Sequence, residues 1–232
     1  MNDIIAKLSG GLIVSCRTEN DDPFNKPELI AKFAESAQMG GAVAIRAQGI
    51  ENIKAIRDEV EIPIIGIVEG RFENDWVCIT PDFKDIDKII NAGADIVALD
   101  VTPRKRPNGM DGIEFFDEVR NRYDILLVAD ISTFEEGIRA AEMGADILAT
   151  TLSGFTHYTE KFATDYPDYE LVEQLSRGTK IPVVASGRIW SPQQAKEALT
   201  RGAYSVIVGS AITRPRDITK KFVEAMNKKN NQ

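Results

Sequence analysis

Histidine occurs once, at His157, and cysteine twice, at Cys16 and Cys78. Metal centres and thiol–imidazole catalysis need several such groups close together, so no metal and no cofactor is expected. Two cysteines far apart, each inside an apolar run, make no disulfide framework, and this usage fits a reducing cytoplasm. Positive charge is also short: 28 Lys and Arg stand against 36 Asp and Glu, a formal net charge of −8. That balance argues against nucleic acid as the general partner, because a phosphate backbone demands a basic face. No apolar run reaches the roughly 18 residues of a membrane span. The start MNDIIAKLSGG lacks the charged, apolar and small-residue parts of a signal peptide. A cytoplasmic protein without membrane contact is therefore expected. No linker or low-complexity stretch divides the 232 residues, so a single domain over 1–232 is expected, with a disordered tail from about residue 228.

What is abundant is one short phrase in four copies. GGAVAIRA (Gly40–Ala47), AGADIVALD (Ala92–Asp100), MGADILATT (Met143–Thr151) and RGAYSVIVGS (Arg201–Ser210) each run from a Gly-Ala pair into an apolar stretch. The pairs recur about every 50 residues, the length of two βα units of a barrel. Between them lie GLIVSCR, IPIIGIVEG, ILLVADIS and IPVVASGR. Interleaved, the two sets predict strands near Gly11–Arg17, Ala42–Arg46, Ile62–Val68, Ile96–Asp100, Ile125–Asp130, Ile147–Thr151, Pro182–Ser186 and Ser205–Gly209. Near-continuous apolar strands suit a parallel sheet covered on both faces. Helical spacing over Pro27–Met39, a capping signal at Ser132 or Thr133 ahead of Glu135 and Glu136, and Ser191-Pro192 supply the intervening helices. The fold class is α/β, a (βα)8 TIM barrel. The stretches Glu69–Thr80 and His157–Pro167 exceed minimal turns and are candidate active-site loops.

A barrel does its chemistry at the C-terminal ends of its strands. Here those ends carry Arg17, Arg46, Glu69, Asp100, Asp130, Thr151, Ser186 and Gly209-Ser210. Any one polar residue there is ordinary strand-end wetness, but a whole set around one mouth points to a site. The last two strands end in ASGR (Ala185–Arg188) and VGSAITRP (Val208–Pro215). Small residues let backbone N–H groups approach an anion, a following helix start adds a favourable dipole, and an arginine adds charge-assisted bonds. Gly187, Arg188, Gly209, Ser210 and Arg214 are thus the candidate phosphate site. The lone His157 reads as a solvated loop residue, with a phosphosugar contact as the alternative, and Lys105 in PRKRP could fold over the mouth.

GLIVSC, GGAVAIRA, IPIIGIV, ITP (Ile79–Pro81), ALDVTPRKRP (Ala98–Pro107), ADIST (Ala129–Thr133), ATTLSGFT (Ala149–Thr156) and VGSAITRP together resemble the N-acylglucosamine-6-phosphate 2-epimerases. The resemblance runs from about Gly10 to Phe222. It implies a ribulose-phosphate-binding type of barrel, a phosphorylated amino sugar as substrate, and interconversion of N-acetylmannosamine 6-phosphate and N-acetylglucosamine 6-phosphate. A homodimer is a further expectation. Arg46, Asp130 and Arg214 match the family's positions for sugar and phosphate contacts.

Three positions depart from the family's pattern. Its GIIKRDY, with the lysine base, is Gly66–Phe72 here, with Glu69 in the lysine's place. Its AEGR, with a catalytic Glu, is Ala185–Arg188, with Ser186 at that position, and its substrate-binding Gln is Arg17. Epimerisation needs a base within hydrogen-bond reach of an acidic C–H and a group that returns the proton. A carboxylate is ionised at neutral pH, so Glu69 is the candidate base, with Asp130 and Ser186 as its candidate partners. Arg17, Arg46, Arg71 and Thr151 are the candidate substrate contacts. Two alternatives stay open: a divergent paralogue acting on another phosphosugar, and a non-catalytic barrel that binds one.

Overall fold

The computed structural model describes residues 2–19, 21–71, 77–106 and 108–227, leaving out the side chains of Arg71 and Val77. A short helix, α1 (Asp3–Lys7), precedes β1 (Leu12–Cys16), α2 (Pro27–Met39), β2 (Ala44–Gln48), α3 (Ile50–Glu59) and β3 (Ile64–Ile67). A hairpin of β4 (Glu69–Arg71) and β5 (Val77–Ile79) leads to α4 (Phe83–Asn91), β6 (Ile96–Asp100), α5 (Gly112–Arg122) and β7 (Leu126–Asp130). Then come α6 (Phe134–Glu142), β8 (Ile147–Ala149), α7 (Tyr169–Gly178), β9 (Val183–Ser186) and α8 (Pro192–Thr200). The chain ends in β10 (Ser205–Val208), α9 (Ser210–Thr213) and α10 (Pro215–Asn227). Strands pair in the closed order β1-β10-β9-β8-β7-β6-β3-β2, an eight-stranded parallel barrel.

All eight expected strands form, with ends shifted by a residue or two. One shift matters: after Ala149 the chain turns into a 3-10 turn at Thr150–Leu152, so Thr151 stands on a turn. The candidate active-site loop over Glu69–Thr80 contains two short paired strands, with Glu69 opposite Ile79 and Gly70 opposite Cys78, and its residues 72–76 lie outside the described residues. Three-residue strands are too short to show a periodicity in sequence. Helix starts follow their capping chemistry. Thr133 with Glu136 and Ser191 with Gln194 form capping boxes as read, and Asp111 with Glu114 forms one that the sequence reading had passed over.

The fourfold phrase has a structural meaning. In every copy the residue after Gly-Ala donates its N–H to the preceding barrel strand or its lead-in: Val43 to Leu12, Asp95 to Ile64, Asp146 to Leu127 and Tyr204 to Val183. The two aspartates also accept from the backbone they face, Ile64 N–H at 2.8 Å and Leu127 N–H at 2.8 Å, and pair with Arg57 and Arg120. These staples lie at the N-terminal end of the barrel, the end that serves stability.

Buried side chains divide into two groups according to strand parity. One face of each strand packs outward on the helices: Gly66 is forced because a Cβ there would sit 2.4 Å from Ile89 and 2.8 Å from Ala94. The other face fills the barrel with Ile13, Ala44, Ile65, Ile67, Ile96, Ala98, Val128, Ile147, Ala149, Val184 and Ile207. Ile5 and Leu8 from and beside α1 join this interior cluster, and Tyr204 donates its hydroxyl to the Ile5 carbonyl, so the first helix plugs the bottom. Among the described residues no helix is long and apolar enough to cross a membrane.

Candidate active site

Side chains two residues apart on a strand share a face, and this places the site. Continuing the interior positions upward gives Ile13, Ser15 and Arg17 from β1, Ala44 and Arg46 from β2, and Ile65, Ile67 and Glu69 from β3 and β4. The other strands give Ala98 and Asp100, Val128 and Asp130, Val184 and Ser186, and Ile207 and Gly209. The polar strand ends are therefore the top layer of the barrel interior. They open into a cavity of about 670 Å³, within the range of small-ligand sites. Arg17, Arg46, Glu69, Thr151, Ser186, Gly187, Arg188, Gly209, Ser210 and Arg214 all line it. Of the expected site residues, Arg71 contributes backbone to β4, and its side chain lies outside the described residues.

Two expectations are corrected. Asp130 does not line the cavity. It is fully buried behind Arg46, whose guanidinium takes both carboxylate oxygens at 3.2 and 2.8 Å. Burial pushes the Asp130 carboxyl up, and the Arg46 guanidinium opposes that shift. With both oxygens occupied, Asp130 fixes Arg46 across the barrel and is not placed to exchange protons with a ligand. Arg188 lines the cavity, but its guanidinium donates to the carbonyls of Tyr166 (2.9 Å) and Ser153 (2.9 Å) and lies 5.0 Å over the Phe155 ring. It therefore fastens the loop after β8 over the mouth instead of reaching freely for an anion.

The remaining candidates with described side chains line the cavity. Arg17 forms an ion pair with Glu69 across the mouth, both side chains half-buried. Burial draws the Arg17 guanidinium down, Glu69 offsets this, and the positive charges of Arg214 and Arg46 lower it further. Thr151 is within electrostatic reach of Asp130, yet its buried hydroxyl finds no hydrogen bond of good geometry among the described residues. Ser186 is held through its backbone by the Thr150 hydroxyl, at 3.0 and 3.2 Å. Gly187 has φ +100°, a left-handed conformation that leaves its amide face bare. The first N–H groups of the four-residue α9, beginning at Ser210, have no partner inside the helix. Arg214 closes this corner, paired with Glu19 at 3.1 Å and Asp217 at 3.4 Å.

The sequence reading missed the apolar wall of Leu152, Phe155, Ile189 and Trp190, and the floor residue Ser15. Ser15 was legible from strand parity with Ile13 and Arg17, but nothing in the pattern singled out the aromatics. It also missed Arg106, which is buried, stacks 4.2 Å from the Phe115 ring and donates to the Thr80 carbonyl at 2.8 Å, tying the hairpin that carries Glu69 to β6. Lys105 turns away to Glu114, and His157 is exposed, edge-on to Tyr158. Burial pushes both thiols, Cys16 and Cys78, up to about 12, so neither supplies a nucleophile. Among the described residues no group of His, Cys, Asp and Glu is placed to hold a metal ion.

Residues 30–228 match the family model described as "Putative N-acetylmannosamine-6-phosphate epimerase". The chain belongs to the N-acetylmannosamine-6-phosphate epimerase family. A relative from Caldanaerobacter subterraneus subsp. tengcongensis, described as a putative N-acetylmannosamine-6-phosphate 2-epimerase, is 50% identical over 222 residues, covering 95% of this chain and 93% of its own. One of the same description from Clostridium perfringens strain SM101 is 43% identical over 219 residues, covering 94% and 98%. The solved N-acetylmannosamine-6-phosphate 2-epimerase from Clostridium perfringens superposes with a TM-score of 0.89 at 41% identity, over 97% of this chain and 96% of that one. A thiamine phosphate pyrophosphorylase from Pyrococcus furiosus, 22% identical with a TM-score of 0.64, shares the fold alone.

Proposed function

We propose that the chain interconverts N-acetylmannosamine 6-phosphate and N-acetylglucosamine 6-phosphate, with Glu69 as the base at the carbon bearing the acetamido group. The observation that carries this is that Glu69 is the only carboxylate among the described residues lining a cavity that also holds Arg17, Arg46 and Arg214. In the open-chain sugar, the C2–H lies beside the C1 aldehyde. Glu69 takes that proton, and the electron pair moves to the C1 oxygen. Arg46, oriented by Asp130, supplies positive charge near the developing enolate. The neutral Glu69 carboxyl then returns the proton to the other face of C2, after the C1–C2 unit has turned. The phosphate lies against Gly187, Gly209, Ser210 and Arg214, and Thr151 is among the residues that line the sugar's part of the cavity.

The family membership and the retained Arg46, Asp130 and Arg214 support this reading. Ser186 cannot act as an acid or base unaided, and the alternative is a barrel that binds a phosphosugar without turning it over. Incubation with N-acetylmannosamine 6-phosphate in heavy water separates them. Deuterium at C2 with formation of the epimer supports catalysis. Binding without label supports the second reading.

The proposal also takes the protein as cytoplasmic, and as a homodimer. α10 buries none of its residues and leaves Phe222, Val223 and Met226 exposed, an apolar face that a second copy would cover.

A further inference from the structure

Four guanidinium groups line the cavity, and they are held very differently. Arg46 is locked on Asp130 by two bonds, Arg188 is held by two backbone carbonyls, and Arg214 is shared between Glu19 and Asp217. Among the described residues Arg17 has one partner, Glu69. Strand order explains its situation. β1 lies between β10, which leads into Gly209 and Ser210, and β2, beyond which lies β3, followed by Glu69 at the start of β4. Arg17 thus leaves its strand beside the candidate phosphate site and reaches across β2 to Glu69. It does so within the field of two further positive charges, Arg214 and Arg46.

We propose that Arg17 is a counter-ion shared between Glu69 and the ligand's phosphate: it pairs with Glu69 and swings to the phosphate when that group arrives, freeing Glu69 to act. A dianion next to Arg214 competes for a guanidinium better than a single carboxylate does, because it relieves the repulsion among three arginines. Glu69 is meanwhile tied up as an ion pair until the phosphate end of the substrate has docked. Binding energy from a remote group is thereby converted into an active base. This inference rests on the reading of Glu69 as base for its catalytic consequence, and its binding consequence stands without that reading.

Two measurements test it. The first is a double-mutant cycle on the dissociation constant of inorganic phosphate, read by calorimetry. Glu69→Gln removes the competitor and tightens phosphate by about three- to fivefold, the strength of a partly exposed ion pair. Arg17→Gln weakens phosphate by about tenfold, the value of one charged hydrogen bond. In the Arg17→Gln background, Glu69→Gln brings at most a small residual gain. Equal gains in both backgrounds overturn the proposal, because they would be charge removal alone. The second measurement uses N-acetylmannosamine without its phosphate in heavy water. Added inorganic phosphate accelerates deuterium entry at C2 in the natural protein and has no effect in Arg17→Gln. No acceleration, or inhibition, while the 6-phosphate itself exchanges overturns the proposal and leaves the proposed function intact. Should the 6-phosphate not exchange either, the proposed function falls, and the phosphate cycle still decides the role of Arg17.

Discussion

A guanidinium that loses its carboxylate inside a barrel keeps its charge and has little solvent to share it with, and Arg46 would be in that position without Asp130. Arg46 is 4% exposed and Asp130 is fully buried, so breaking this pair costs about 3–5 kcal/mol. Asp130→Asn is therefore expected to lower the melting temperature by roughly 6–20 °C, using about 2–4 °C per kcal/mol for a domain of this size. A shift under about 2 °C would mean that Arg46 finds another partner. At this scale most of the site was legible in the sequence. Once the strands are placed, a residue two or four positions beyond a barrel-interior isoleucine faces the mouth, which puts Arg17, Glu69 and Gly209 there. What parity does not give is depth. Asp130 and Glu69 both read as strand-end carboxylates, and only the reach of Arg46 across the barrel places one behind a guanidinium and the other in the cavity. Arg188 fails for a similar reason: carbonyls at Ser153 and Tyr166 capture it, and no spacing announces them.

Among the elements, the segment after β8 is the one whose behaviour the sequence least foretold. Its length points to the loop over 157–167, whereas the residues that face the cavity are Thr151, Leu152 and Phe155, ahead of that stretch. Its far part is tied to α6 through Tyr158, whose hydroxyl lies 2.5 Å from Glu136. Burial pushes the Glu136 carboxyl up, while the Tyr158 hydroxyl and the Ser132 and Thr133 amides hold it down. Tyr158→Phe removes one donor and moves this carboxyl further up. The lost bond matters where Glu136 is ionised and fades once it binds a proton in the folded state, above its unfolded value near 4.3. The variant should thus lose about 1–2 kcal/mol at pH 8, and recover part of this relative to the natural protein at pH 5. Urea unfolding at both values checks it, and an equal loss at both would show that the bond does not depend on the carboxylate's charge. The hairpin of β4 and β5 belongs to the same class of omission. It is closed by the Thr80 N–H on the Val68 carbonyl and held by Arg106, a contact that comes from a distant part of the chain.

For the whole molecule, the fourfold Gly-Ala phrase carried the architecture, because it marks where every second strand enters the barrel. It carried no word of the bottom plug. Leu8 is fully buried in the interior cluster, so Leu8→Ala should cost about 2–5 kcal/mol. Sugar-phosphate binding should stay unchanged, since the plug and the mouth lie at opposite ends. A weakened affinity in a still folded Leu8→Ala protein would contradict that separation. The exposed face of α10 gives a second expectation at this scale. Light scattering should return the mass of two chains, and Phe222→Asp with Met226→Asp should return one. A monomer in the natural protein removes the homodimer.

Glu69 decides the chemistry of this barrel, and the exchange of one hydrogen tests its role most directly. N-acetylmannosamine 6-phosphate in heavy water, followed by proton NMR at C2, should lose its signal with the natural protein as the epimer appears. Glu69→Gln should slow that loss by about a hundred- to ten-thousandfold, the usual worth of a positioned base, while binding the sugar phosphate no more weakly. Exchange at the natural rate in Glu69→Gln would contradict the account, and the proton would then be moving through another group.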